Sequence, residues 1–237
     1  MIKVLALSNS RTGNGGFLET AKPLISQFAG QGKKKMAFIP FASVTRDYIT
    51  YASMVNDALA DLNYQVDVVL PDNAVSSILH ADIIMVGGGN TFKLLHDLYD
   101  LNLMQLIREK VQGGCPYIGW SAGANIAGAT IGTTNDMPII QPKSFDAFGF
   151  LPFQINPHYY NLKMEGHNGE TRDQRIAEYV IQNPGVAVVA LPEGTALKLE
   201  QGKLIYLGHN TGVLFTNDMD EIIRTELKEG DELSYLM

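Results

Sequence analysis

Apolar positions along the chain follow two alternating rhythms. Short, nearly continuous apolar runs at residues 2–8, 36–40, 66–70, 83–86 and 116–120 read as buried strands. Between them, residues 17–28, 46–62, 91–99 and 103–111 carry apolar side chains at helical spacing. Strands without polar alternation, separated by helices, predict an α/β fold with a mostly parallel central sheet covered by helices on both faces.

From about residue 131 the rhythm changes. A long irregular stretch, 133–150, precedes a strand expected at 153–157. A helix is expected over 171–181, because Thr171 and Gln174 have capping-box spacing and Asn183-Pro184-Gly185 ends the pattern. Residues 186–191 read as another buried strand, and 196–200 and 204–207 flank Gln201-Gly202 as a C-terminal hairpin at the sheet's edge. With no internal repeat, low-complexity segment or linker, residues 1–237 read as a single α/β domain.

Composition narrows the possible partners. The chain is 46% hydrophobic and 18% charged, enough apolar material for a core. Its formal charge of −7 is concentrated near the C-terminus, where Asp218, Asp220, Glu221, Glu226, Glu229, Asp231 and Glu232 face only Arg224 and Lys228. The one basic run, Lys33-Lys34-Lys35, leads into a strand, so neither nucleic acid nor an anionic membrane is an expected partner. The lone Cys115 allows no internal disulfide, and the opening MIKVLALSNS has no leader-like apolar core. A cytoplasmic protein, monomer or homodimer, is expected.

The sharpest local signal is Gly119-Trp120-Ser121-Ala122-Gly123, placed between an apolar strand and a run of small, helix-compatible residues, 122–129. A strand-to-helix turn that presents a nucleophilic hydroxyl brings its flanks together, so the residues two before and two after the serine must be small. The plainer alternative is a serine capping a helix at a tight turn. Val86-Gly87-Gly88-Gly89-Asn90 follows the preceding strand and lets the backbone approach a ligand, so Gly89 and Ala122 are the expected oxyanion donors. A phosphate-binding loop is the rival, but it lacks both the lysine and the glycine spacing of such loops.

A serine nucleophile needs a base, and five histidines are available. His158 directly follows the strand at 153–157, stiffened by Pro157, whereas His80, His96, His167 and His209 fall on helix surfaces or in polar loops. Two carboxylates compete to orient it: Glu193, after the strand at 186–191, and Asp136, in the Thr133–Pro138 segment. Arg172 opens a helix, where its charge opposes the helix dipole, which suggests a grip on a substrate carboxylate. Arg175 has a weaker claim. Cys115 reads as a small buried residue. No histidine or acid spacing suggests a metal, and no cofactor is implied.

Several stretches occur together in one known family. Ser8-Asn9-Ser10, Phe38-Ile39-Pro40-Phe41-Ala42, Val86-Gly87-Gly88-Gly89-Asn90-Thr91-Phe92, Gly119-Trp120-Ser121-Ala122-Gly123-Ala124-Asn125, Thr133-Thr134-Asn135-Asp136-Met137-Pro138, Gln154-Ile155-Asn156-Pro157-His158 and Gly169-Glu170-Thr171-Arg172 appear here in order. Over residues 2 to about 215 the chain resembles peptidase E, the cytoplasmic α-aspartyl dipeptidases, which share a fold with class I glutamine amidotransferases. The resemblance implies a serine dipeptidase acting on Asp-X dipeptides, with Ser121 and His158 as the catalytic pair and Gly89 at the oxyanion site. It implies Arg172 as the clamp on the aspartate side chain, with Asn90 and Asn135 in the substrate site. It matches the third catalytic member both to Asp136 and to Glu193. Two alternatives are a cyanophycinase-like serine hydrolase of β-aspartyl bonds and a non-catalytic module binding an anionic metabolite.

Overall fold

The computed structural model describes residues 1–161, 166, 168–218 and 221–237. Its core is a seven-stranded sheet in the order β3-β2-β4-β5-β1-β8-β9. The strands are β1 (Val4–Leu7), β2 (Lys34–Ile39), β3 (Tyr64–Val68), β4 (Ile83–Val86), β5 (Tyr117–Trp120), β8 (Ala196–Glu200) and β9 (Lys203–Leu207). β1 to β5 run parallel, while β8 pairs antiparallel with β1 and β9 closes the edge. The edge hairpin expected from Gln201-Gly202 is therefore present. Both turn residues have positive φ, 54° and 78°, as a two-residue type I′ hairpin requires.

Continuous apolar strands are explained by burial on both sides. Val4 and Ala6 face one core, shared with Leu94 and Leu98 of α4 (Thr91–Asp100) and Ile107 of α5 (Met104–Gln112). Leu5 and Leu7 face the other, with Ile25 of α1 (Lys22–Ala29) and Val55 of α2 (Tyr48–Ala58). On that second face Trp120 stacks on Phe38, with ring centroids 5.8 Å apart, and its indole N–H donates to the Tyr51 hydroxyl at 3.1 Å. A buried indole with a satisfied N–H fixes the strand end that precedes Ser121.

A second sheet of four strands, in the order β11-β10-β7-β6, was not legible as a separate layer. It contains β6 (Gln154–Pro157), β7 (Val188–Leu191), β10 (Gly212–Asp218) and β11 (Glu221–Leu227). β6 and β7 pair in parallel, so their carboxyl ends emerge together. α7 (Arg172–Gln182) packs on this sheet through Ile176 and Val180, and its capping box between Thr171 and Gln174 is formed as the spacing predicts.

Some boundaries differ from expectation. α1 begins only at Lys22, where Pro23 takes an early position that needs no N–H. The helix expected over 46–62 is α2 plus a short 3-10 turn, because the Asp47 carboxylate caps it by accepting from the Thr50 N–H at 2.8 Å. α3 (Ala74–Leu79) was not predicted, and α6 (Ala122–Asn125) is far shorter than the small-residue run 122–129.

Candidate active site

Ser121 sits between β5 and α6 with φ 54° and ψ −114°, a conformation that non-glycine residues rarely adopt. The turn is tight enough to dictate its neighbours. A Cβ on Gly119 would lie 2.3 Å from the Gly123 carbonyl oxygen, and one on Gly123 would lie 2.3 Å from that of Val86. The Tyr117 hydroxyl donates to the Gly123 carbonyl at 2.7 Å, and the Asn125 amide donates to Ile155 of β6 at 2.7 Å, tying the Ser121 turn to the second sheet.

The glycine loop after β4 comes up beside this turn. Gly89 has φ +140°, and its backbone passes so close to Ala42 that a Cβ would lie 2.2 Å from the Ala42 carbonyl oxygen. Among the described residues, neither the Gly89 N–H nor the Ala122 N–H has a hydrogen-bond acceptor, so both remain available.

His158 and Glu193 arrive from the paired strands β6 and β7. The His158 Nε2 lies 3.0 Å from the Ser121 Oγ, and its Nδ1 lies 3.0 Å from the Glu193 Oε1. The tautomer with hydrogen on Nδ1 donates to the carboxylate and leaves Nε2 to accept the serine proton. His158 also has a positive φ, 53°, and its backbone N–H donates to the buried Ser8 hydroxyl at 2.9 Å. That hydroxyl donates in turn to the Leu191 carbonyl at 2.8 Å. Asn9 holds the next residues, accepting the Gly194 N–H at 2.9 Å. Ser8 and Asn9 had no assigned role in the sequence, although their position just past β1 is the same strand-end signal that marked the other loops.

Asp136 lies elsewhere. Its carboxylate accepts from the Thr91 N–H at 2.7 Å, the Thr91 hydroxyl at 2.6 Å and the Thr134 hydroxyl at 3.2 Å, at the N-terminus of α4. The geometry therefore brings Glu193, and not Asp136, to the imidazole. Asn135 donates to the Pro157 carbonyl at 2.9 Å and accepts from the Asn156 amide, also at 2.9 Å, which braces the strand end before His158. Asn90 caps α4 through the Lys93 N–H at 3.0 Å and donates to the Met137 carbonyl at 2.8 Å, so its amide is engaged within the protein.

Ser121 and His158 lie between two depressions. On one side is a cleft of about 100 Å³ whose wall includes Asp136 and Arg172. The Arg172 guanidinium stacks 5.2 Å from the Tyr160 ring, and its buried Nη1 has no hydrogen-bond partner among the described residues. On the other side is a wider cavity of about 420 Å³, bounded by Phe17, Tyr51 and Met54, with Arg11 and Arg46 also in its wall.

The remaining candidates fall away from this centre. Arg175 pairs with Glu170 at 3.6 Å on the surface. His80 turns back on the Ser76 carbonyl, His96 contacts Asp97 and His209 contacts Glu229, while His167 lies outside the described residues. Burial pushes the Cys115 thiol up, away from thiolate character, consistent with a packing role. Among the described residues no group of three or more His, Cys, Asp or Glu is arranged to hold a metal ion.

Comparison with known proteins finds relatives along nearly the whole chain. Peptidase E of Shewanella putrefaciens (strain CN-32) is 48% identical over 238 residues, covering all of this chain and 99% of its own. Peptidase E of Haemophilus influenzae (strain Rd) is 48% identical over 204 residues, covering 85% of this chain and 94% of its own. The crystal structure of a Listeria monocytogenes EGD-e protein superposes with a TM-score of 0.69 at 25% identity, covering 89% of this chain and 100% of that one. The model of Peptidase family S51 matches residues 4–207, more than half of the chain, and this protein therefore belongs to peptidase family S51.

Proposed function

We propose that the chain is a serine dipeptidase that hydrolyses dipeptides with an N-terminal aspartate through an aspartyl-enzyme ester. The observation that carries this reading is the unbroken hydrogen-bond line from Ser121 through His158 to Glu193, beside a cleft holding a guanidinium with a buried nitrogen that has no partner among the described residues. The family match and the peptidase E relatives support it.

In this mechanism His158 Nε2 takes the Ser121 proton as Oγ attacks the aspartyl carbonyl carbon. The carbonyl electron pair moves onto its oxygen, which rests on the N–H groups of Gly89 and Ala122; one such donor is worth about 10²–10³ in rate. Collapse breaks the C–N bond, and His158 delivers the proton to the leaving nitrogen. Water then gives a proton to His158 and attacks the ester, and the proton returns to Ser121 as aspartate leaves. One peptide bond and one water are consumed. Glu193 holds the imidazole tautomer and stabilises its transient cation.

Substrate selection follows from the narrow cleft. An N-terminal aspartyl residue carries an ammonium and a carboxylate, and this cleft offers Asp136 to the first and Arg172 to the second. Asn90 and Asn135 hold the cleft's walls in place. The reading includes a cytoplasmic location, in keeping with a single cysteine; no helix among the described residues is long and apolar enough to cross a membrane.

A panel of Asp-Leu, Asn-Leu, Glu-Leu, Ala-Leu and β-aspartyl-leucine tests the assignment. Asp-Leu is expected to lead by kcat/KM. Faster cleavage of β-aspartyl-leucine would replace this reading with that of an isopeptide hydrolase.

A further inference from the structure

The wider cavity on the far side of Ser121 holds two cations that the mechanism above does not use. Among the described residues the arginine ion pairs are those of Arg175 with Glu170 and Arg224 with Asp173, so Arg11 and Arg46 have none. Asp47, next to Arg46, forms no ion pair with it among the described residues. Its two carboxylate oxygens accept from the Thr50 N–H at 2.8 Å and the Thr50 hydroxyl at 2.5 Å. In a chain of net charge −7, two guanidiniums without an ion pair sharing one cavity wall with Ser121 and His158 make a local positive site.

Arg46 is also placed rather than loose. Its guanidinium lies 5.3 Å from the centroid of the Tyr51 ring, a cation–π contact. Tyr51 is itself fixed: its hydroxyl donates to the Gly88 carbonyl at 3.1 Å and accepts from the Trp120 indole at 3.1 Å. Gly88 in turn packs directly on Ser121, since a Cβ there would lie 2.8 Å from the Ser121 Cβ. A rigid chain of contacts thus links Arg46 to the nucleophile.

We propose that Arg46, assisted by Arg11, binds the C-terminal carboxylate of the leaving residue and so sets this enzyme's preference for free dipeptides. The inference rests on the dipeptidase reading, which assigns the cleft of Asp136 and Arg172 to the aspartyl side and leaves the 420 Å³ cavity for the departing residue. In a dipeptide the leaving nitrogen and the terminal carboxylate are attached to one carbon, so a cation on this side meets the carboxylate within a single residue. A longer peptide presents a neutral amide there instead, and its onward chain meets the two arginines.

Asp-Leu and Asp-leucinamide differ only in that terminal charge, and their kcat/KM ratio is the readout. The wild-type ratio is expected to favour the free acid by roughly tenfold, the scale of a charge-assisted contact made by two exposed guanidiniums together. In the Arg11→Gln/Arg46→Gln double variant the ratio is expected to fall toward one, chiefly through KM for the acid, and Arg46→Glu is expected to favour the amide. A loss of folded enzyme affects both substrates equally and leaves the ratio intact. A wild-type ratio near one, or a ratio unchanged in the double variant, overturns the proposal while the dipeptidase reading stands. If neither aspartyl substrate is cleaved, both fall together.

Discussion

The backbone N–H of His158 donates to the hydroxyl of Ser8, 150 residues earlier in the chain, at 2.9 Å. The same hydroxyl donates to Leu191, two residues before Glu193. One buried side chain on the central sheet therefore sets the position of two groups carried by the second sheet. His158 needs that support, because its left-handed backbone conformation is held only where surrounding contacts over-determine it.

Ser8→Ala is expected to lower kcat on Asp-Leu by roughly 10- to 100-fold with little change in KM, the scale of an ångström-sized misplacement of a reacting group. It also strands a part-buried N–H, at about 1 kcal/mol or more of stability. Steady-state kinetics with a denaturant titration check both. An unchanged kcat would mean that His158 holds its place without Ser8.

The two acids separate by experiment. Glu193→Gln is expected to lower kcat by roughly 10²–10⁴-fold through loss of the imidazole tautomer and its counter-charge. Asp136→Asn is expected to weaken aspartyl substrate binding while leaving the imidazole geometry intact. A downfield His158 Nδ1–H proton resonance distinguishes them: present in wild type and Asp136→Asn, lost in Glu193→Gln. Loss in Asp136→Asn alone would reverse the assignment.

Arg172→Ala removes the guanidinium that faces the narrow cleft. The preference for Asp-Leu over Ala-Leu is expected to shrink by about 10- to 100-fold, with Ala-Leu little affected. Equal losses on both substrates would make Arg172 a structural residue.

Gly123→Ala tests the tightness of the turn at Ser121. Its methyl would meet the Val86 carbonyl at 2.3 Å, a backbone contact that cannot rotate away. A loss of about 1–3 kcal/mol or more is expected, together with loss of activity. A stable, active variant would mean that the turn is looser than the geometry implies.

The central sheet was readable because β1, β4 and β5 are short apolar runs buried on both faces, a pattern that survives without knowledge of neighbours. The convergence of the Ser121, Gly89, His158 and Glu193 loops was readable because each follows a strand, and parallel strands deliver their carboxyl ends to one edge. The choice between Glu193 and Asp136 was not, since both sit in loops and only the pairing of β6 with β7 brings Glu193 beside His158. β11 escaped because six of its seven residues are exposed and charged residues interrupt its apolar positions. Arg46 escaped because its meaning depends on Tyr51, Gly88 and Ser121 meeting across three elements.

In the proposed mechanism the Ser121 hydroxyl becomes covalently bonded to the aspartyl group. Acid-quenching the enzyme early in turnover of aspartyl-p-nitroanilide and sequencing its peptides by mass spectrometry reads this directly. An aspartyl ester on the peptide containing Ser121, absent in Ser121→Ala, is the predicted result. Full hydrolytic activity in Ser121→Ala, or an aspartyl adduct on another residue, would contradict it.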